Sequence, residues 1–388
     1  MAGPPGSDLR ALRIAHISTV HSALDARIFY REARSLQDLG CEVTVFGVHP
    51  HHASVLGIPI RAMRSLPRAR RLATSWYRGL RVVRSHPADV YHFHDPELLP
   101  AAVLAHVLLR RRVVFDAHED IGLVMVKHWL PRWLKRPVTF VFGLADTVLA
   151  RRVDGVVVPT RLLAEKYRRL SAHVVTFMNY PAPDFLDERD AAWQPYRDRR
   201  KEIVHVGTLS KRRLVDLVAI AREFLEAHQD WSWALIGMHQ YALGWFDEIV
   251  RGPVRERLVA VGKVSQAEVA RRLCGVRIGV NYHPLGSRHL DVAIPTKVFE
   301  YLACGLPVVT TRVPLLVEAV RHCAAVILTD EATESYLAAV TRLAGRVDSD
   351  AMSGAARRFS EEHFDCRTEA RKLSGLYAEI CRAKGASA

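Results

Sequence analysis

The sequence predicts an α/β protein built from two doubly wound parallel sheets, and three observations carry that expectation. Apolar runs of strand length recur along the chain, separated by stretches of helical spacing, the alternation that produces parallel βαβ units. The alternation is interrupted around residues 179–200 by a stretch rich in Pro, Asp and Arg, without steady periodicity. With 388 residues, 49% of them hydrophobic, the chain has room for two domains of ordinary size.

Composition narrows the partners. The net charge of +14 and pI near 9.8 favour an anionic partner: nucleic acid, an anionic membrane leaflet or an anionic nucleotide substrate. No RNP-like base-stacking motif is present, which argues against nucleic acid. No apolar run reaches membrane-spanning length. Met1 to Asp8 is small, polar and Pro/Gly-rich without a signal-peptide core, so a cytoplasmic location is expected. Cysteines 41, 274, 304, 323, 366 and 381 form no Cys-x-x-Cys pair and are expected to be reduced and buried. Solenoid repeats and low-complexity tracts are absent.

In the first half, strands are predicted at Arg13–Ser18, Glu42–Phe46, Val90–His94, Val113–Asp116, Gly155–Val158 and Val174–Phe177, with a helix from Arg27 to Leu39 stopping at Gly40. Ligands on such sheets sit beyond the carboxyl ends of strands, so polar residues there are candidates. After the first strand come Asp25 and Arg27, which either cap and brace the next helix or face a substrate. His92 and His94 share a strand face. With Asp95 and Glu97 they suggest a metal, but no second ligand set at clear spacing accompanies them. His118 follows the Val113–Asp116 strand, and an imidazole there can donate to or accept from a hydroxyl. Residues 124–136 interleave Trp129 and Trp133 with Lys127, Arg132, Lys135 and Arg136. That pattern suits a membrane interface, or an ordinary packed helix with snorkelling cations. The Arg-rich stretch from Arg61 to Arg84, with Trp76 and Tyr77, extends it.

The second half restarts with a strand at Glu202–Val206. Gly207, Thr208, Lys211 and Arg213 follow in a basic loop entering a helix, an anion-binding arrangement. Further strands are predicted at Trp233–Ile236, Leu258–Val261, Ile278–Tyr282 and Pro307–Thr311. The stretch from Ile294 to Val309 reads as Pro295 at a first helical position, a short helix, a left-handed stop at Gly305 and a buried strand. Lys297 and Glu300, three apart, share a helix face. A phosphate near Lys297 and a sugar diol on Glu300 would satisfy that face. Phe359 to Lys384 reads as one C-terminal helix with an apolar stripe.

The run Pro295-Thr296-Lys297-Val298-Phe299-Glu300-Tyr301-Leu302-Ala303-Cys304-Gly305-Leu306-Pro307-Val308-Val309 resembles the donor-site helix of retaining glycosyltransferases of the B-type fold, in the family-four group. The stretch His92-Phe93-His94-Asp95-Pro96 resembles a pattern of the same family, and His21-Ser22-Ala23-Leu24-Asp25-Ala26-Arg27-Ile28-Phe29 resembles a bacterial subgroup of it. The resemblance implies two Rossmann-like domains facing a cleft: an acceptor domain at residues 1–190, a nucleotide-sugar domain at 191–364, and a last helix, about 365–388, crossing back to the first.

The reaction implied is retaining transfer of a sugar from a nucleoside-diphosphate sugar, UDP being the expected nucleotide, to an acceptor hydroxyl in cell-surface polysaccharide or glycolipid synthesis. No metal and no further cofactor are expected. By the same resemblance Arg213, helped by Lys211, and Lys297 meet the diphosphate, with Gly207, Thr208 and Thr296 beside them. Glu300 holds the ribose, Val264 contacts the base, and His118 contacts the reacting sugar. Asp25, Arg27 and His94 lie on the acceptor side. The chain departs from the family pattern in lacking the Gly-Gly loop after the first strand, in having Thr208 for an Arg, and in having Val292 beside Asp291 for the first of two glutamates. A sugar epimerase or phosphorylase-like enzyme of the same plan, or a non-catalytic basic scaffold, are the alternatives. A lipid-linked acceptor at the inner membrane face is the expected partner.

Overall fold

The computed structural model describes residues 12–118, 132–171, 173–285, 294–346 and 349–385. The chain divides into two compact units, residues 1–183 with 366–388, and residues 184–365.

The sheet of the first unit has the order β3-β4-β2-β1-β5-β6-β7-β8. Its strands are β1 (Arg13–Ser22), β2 (Glu42–Val48), β3 (Ala53–Val55), β4 (Ile58–Met63), β5 (Val90–Phe93), β6 (Val113–Asp116), β7 (Gly155–Val158) and β8 (Val174–Thr176). All pair in parallel except β3, which runs antiparallel to β4. The strand order reverses between β1 and β5, where doubly wound sheets bind ligands. Strands β5, β6 and β7 are wholly buried and mostly apolar, as helices on both faces require, with His92 and Asp116 the polar exceptions. The short pair β3 and β4 was not anticipated: Pro59 and the polar neighbours of Ile58 and Ile60 hide the alternation of an edge.

The second unit has a six-stranded parallel sheet, β11-β10-β9-β12-β13-β14. Its strands are β9 (Arg200–Val206), β10 (Ser232–Met238), β11 (Leu258–Gly262), β12 (Val276–Asn281), β13 (Val308–Thr311) and β14 (Val326–Thr329). Numbered within the unit this is the 3-2-1-4-5-6 order of a dinucleotide-binding sheet, and its switch point lies between β9 and β12. The core wraps the Lys211–Ala227 helix, where Leu214, Leu217, Val218, Ala221 and Phe224 recur at helical spacing.

Three expectations are corrected. The interrupting stretch holds a helix, Pro183–Ala191. It is anchored in the second unit, where Arg189 donates to the Ala303 carbonyl and accepts from Cys274 through its own carbonyl, so the units divide at 183/184 rather than 190/191. The C-terminal segment is two helices, Ser349–His363 and Cys366–Gly385, broken where Phe364 turns onto Phe299 with ring centroids 4.4 Å apart. The second of these packs on the first unit through Leu373, Leu376, Tyr377 and Ile380. The cysteines carry free thiols and all but Cys381, which is half-buried, are buried.

Candidate functional site

In the second unit the polar residues gather at the switch point. β9 is followed by Gly207, whose φ of +101° is open to glycine at little cost. A side chain there would also run into Lys297, whose Nζ lies 3.4 Å from where a Cβ would stand. Lys297 begins the Lys297–Ala303 helix, with Thr296 as its cap and Pro295 two residues before the first turn rather than inside it. Its amine donates to His205 Nε2 at 3.3 Å. The assignment follows from the other ring nitrogen: His205 Nδ1 faces the Val280 carbonyl at 3.2 Å, which only accepts. Burial first, then the charges of Lys297 and Arg213, keep His205 well below the usual imidazole range. Burial and Arg213 likewise pull the half-buried Lys297 down to about 7, against a smaller opposing pull from Glu300.

Arg213 is half-buried and aimed by its Nε donating to the Tyr282 carbonyl at 3.0 Å, with His283 Nε2 3.3 Å from Nη2. Burial pulls it down to about 10. Two basic side chains are thus held close to each other, and an anion is what would relieve their repulsion. Glu300 is buried on the same helix. Lys211 is exposed, its amine 6.0 Å from the Trp245 ring centre. Thr208 ties the loop to β10: its hydroxyl donates to the Gly237 carbonyl and accepts from the His239 amide, each at 3.2 Å. Val264 sits half-buried in the loop after β11. Sequence reasoning missed an aromatic shelf beside this loop, where His239 and Tyr241 stack at 5.3 Å and Tyr241 meets Trp245 at 5.0 Å. The i, i+4 spacing of Tyr241 and Trp245 was the available signal.

In the first unit a polar cluster fills the carboxyl ends of β1, β5 and β6. Asp116 is its centre. Arg27 clamps it with two bonds, Nε to Oδ2 at 2.8 Å and Nη2 to Oδ1 at 2.9 Å, and also donates to the Phe177 carbonyl and Asn179. Burial opposes ionisation of Asp116, but Arg27 and His118 outweigh it and hold the carboxyl well below its usual range. His94 Nδ1 and His118 Nε2 both face Asp116 Oδ2, at 3.2 and 3.0 Å. Beneath them His16 Nδ1 meets His94 Nε2 at 2.8 Å, and the Tyr377 hydroxyl meets His92 Nδ1 at 2.7 Å. Glu32 is completely buried among these rings, 3.1 Å from Arg27 Nε, and burial followed by repulsion from Asp116 pushes its carboxyl well up.

Of the three residues expected on the acceptor side, two make structural contacts. Arg27 is buried under Asp116, and Asp25 caps the helix beginning at Ala26 by accepting from the Arg27 and Ile28 amides. His94 is fully buried, whereas His118 is partly exposed, with the His21 ring 5.1 Å away. Asp95 accepts from Ser18, Thr19 and Val20, bracing the carboxyl-terminal half of β1. His16 and Glu32 escaped the sequence reading, although a His inside the apolar run of β1 and an acid on the buried face of a helix were visible signals. Asp291 and Val292, like Trp129 and Lys127, lie outside the described residues.

Comparison with known proteins fits this geometry. Residues 26–176 match the family model described as "Glycosyl transferase 4-like domain", and residues 200–346 match "Glycosyl transferases group 1". A search of curated protein sequences finds no match. Among solved structures the chain is similar to a sucrose-phosphate synthase from Thermosynechococcus elongatus, at 16% identity and a TM-score of 0.68 over 96% of this chain and 100% of that one. It is similar to a glycosyltransferase from Rickettsia africae, at 13% and 0.68 over 95% and 98%. It is also similar to the Anabaena HepE protein in complex with UDP and glucose, at 13% and 0.66 over 95% and 100%. At these identities the structures attest the fold. The two family matches together span well over half of the 388 residues, and the chain belongs to the glycosyltransferases of the B-type fold.

Proposed function

We propose that the chain moves a sugar from a nucleoside-diphosphate sugar to an acceptor hydroxyl with retention of configuration. The observation that carries this reading is the pairing of Lys297 and Arg213 at the β9/β12 switch point, with the Lys297 amine lying over Gly207. Two confined cations at the carboxyl end of a 3-2-1-4-5-6 sheet suit a diphosphate. Charge developing on the leaving diphosphate is met by these two side chains and by the amides opening the Lys211–Ala227 helix, with no metal ion on the phosphates. Glu300 accepts from the ribose hydroxyls, and Val264 contacts the base. His118 contacts the transferred sugar, as the family resemblance implies. That the HepE structure holds UDP and glucose supports a UDP-sugar as the first donor to try.

The acceptor we infer is lipid-linked and presented at an anionic membrane surface. No helix among the described residues is long and apolar enough to cross a membrane. The helix Arg132–Ala150 exposes Trp133 (75%), Phe140 (71%), Leu144 and Val148, a single stripe at helical spacing. The Arg68–Ser85 helix of the same unit exposes Trp76 and Tyr77 among Arg70, Arg81 and Arg84. Aromatic residues interleaved with arginines are what a peripheral membrane surface requires.

Thermal shift against a panel of nucleotide sugars tests the donor reading. A ligand at a hundred times its Kd should stabilise by about 2.7 kcal/mol. Glu300→Gln should weaken the response while folding normally; an unchanged response would remove Glu300 from the ribose.

A further inference from the structure

We propose that the nucleobase of the donor stacks on Tyr241, at the start of the Gln240–Ile249 helix, with His239 and Trp245 bracing that ring. The proposal rests on the nucleotide-sugar reading of the second unit and adds the place of the base. Strands β9, β10 and β11 are parallel neighbours, so their carboxyl ends lie side by side. Lys297 reaches over Gly207, just past β9, and Val264 follows β11. The three rings stand after the strand between them. Neighbouring strands are about 4.8 Å apart, so β9 and β11 are separated by about 10 Å. A nucleotide with its phosphates at Gly207 and the edge of its base at Val264 crosses the end of β10.

Backbone contacts fix the loop after β10 to the loop after β9. The Gly207 amide donates to the Ile236 carbonyl at 2.7 Å. Gly237, with φ +83°, lies so close that a Cβ on it would stand 3.4 Å from the Gly207 nitrogen. Thr208 closes the junction by donating to the Gly237 carbonyl and accepting from the His239 amide. His239 is thereby held next to the loop over which Lys297 lies. On the other side, Leu243 of the same helix reaches the end of β11, its Cδ1 3.7 Å from where a Gly262 Cβ would stand. The start of this helix therefore bridges the phosphate loop and the Val264 loop.

The rings suit a flat ligand. Tyr241 is 54% exposed, the one exposed Phe, Trp or Tyr among the described residues of the second unit. A lone exposed ring needs no explanation, but this one is held from two sides. His239 lies nearly parallel to it, 12° apart with centroids at 5.3 Å, and Trp245 meets it at 60° and 5.0 Å. A ring fixed before the ligand arrives loses little further freedom on binding. The Lys211 amine, 6.0 Å from the Trp245 ring centre, makes the cationic loop and the rings one surface. Stacking accepts any base, since each has a π-face. Tyr241 thus supplies affinity, and discrimination among bases falls to contacts with the base edge at Val264.

Calorimetric titration of the full-length protein with UDP, GDP, ADP and inorganic pyrophosphate separates base from phosphate. Tyr241→Ala should raise the dissociation constant of each nucleoside diphosphate that the parent binds at least about fivefold, and leave pyrophosphate affinity unchanged. Tyr241→Phe, which keeps the ring, should bind as the parent does. Unchanged nucleotide affinity in folded Tyr241→Ala, or an equal loss for pyrophosphate, would overturn the proposal while leaving the nucleotide site in place. Absence of binding by the parent to all three nucleotides would instead overturn the donor reading, and this proposal with it.

Discussion

Lys297 shows what a single side chain's surroundings can decide. An ammonium held away from water and near a second cation is pulled down to about 7. Only the charged form attracts a diphosphate. Affinity for UDP should therefore fall as pH rises from 7.5 to 9, by up to about tenfold per unit, in a range where phosphate, with its second pKa near 6, is already fully ionised. Lys297→Arg should flatten the profile. Calorimetric titration across that range checks the sign: affinity that is constant or rises would show that the amine stays charged or lies off the phosphates. Nearby, Arg213→Ala should cost about 1.5–3 kcal/mol of nucleotide affinity and Lys211→Ala distinctly less, because Arg213 is aimed by Tyr282 while Lys211 is exposed. The reverse ranking would shift the loop's register. Lys297, Glu300 and Arg213 were legible because they sit in one local motif each. The His94, Asp116 and His118 cluster was not, since it depends on β5 lying beside β6, a fact of strand order rather than of spacing.

Among elements, the turn after the Lys297–Ala303 helix is the most tightly specified. Gly305 has φ +66°, and a Cβ there would stand 2.7 Å from the Trp193 ring and 2.8 Å from Ser353 Oγ. Gly305→Ala should destabilise the protein by more than about 1 kcal/mol, combining backbone strain with overpacking. Urea denaturation measures it, and an unchanged midpoint would mean the neighbours yield freely. The left-handed stop was readable from Gly followed by Leu-Pro; Trp193 and Ser353 were not, being distant in sequence. The interior strands were likewise readable as continuous apolar runs. β14 was missed because Val326–Thr329 is only half-buried for most of its length and short, and the break at residues 364–365 because the apolar stripe runs across it.

At the scale of the molecule, net positive charge and two helices with exposed aromatics motivate the membrane proposal. If the Arg132–Ala150 and Arg68–Ser85 helices rest on anionic lipid, co-sedimentation with vesicles containing phosphatidylserine should be strong at low salt and fade with ionic strength, each basic residue contributing about 1 kcal/mol near the surface. Replacing Trp133 and Phe140 together with serine should abolish it. Equal sedimentation with neutral vesicles, or none with anionic ones, would contradict the membrane assignment without touching the transferase reading. The two-sheet plan was the most legible feature of all, because alternation of strand and helix needs no long-range information. Where one unit gives way to the next was less so, since the Pro183–Ala191 helix carries little amphipathic signal and is fixed by contacts to residues far along the chain.

The central claim is transfer with retention, and product stereochemistry tests it most directly. The protein is incubated with a nucleoside-diphosphate sugar that shifts its melting temperature and with a lipid-linked acceptor, and the new glycosidic linkage is examined by NMR. The account predicts nucleoside diphosphate released in step with acceptor consumed, and a linkage with the anomeric configuration of the donor. An inverted linkage, or donor turned over with no acceptor consumed, would contradict it.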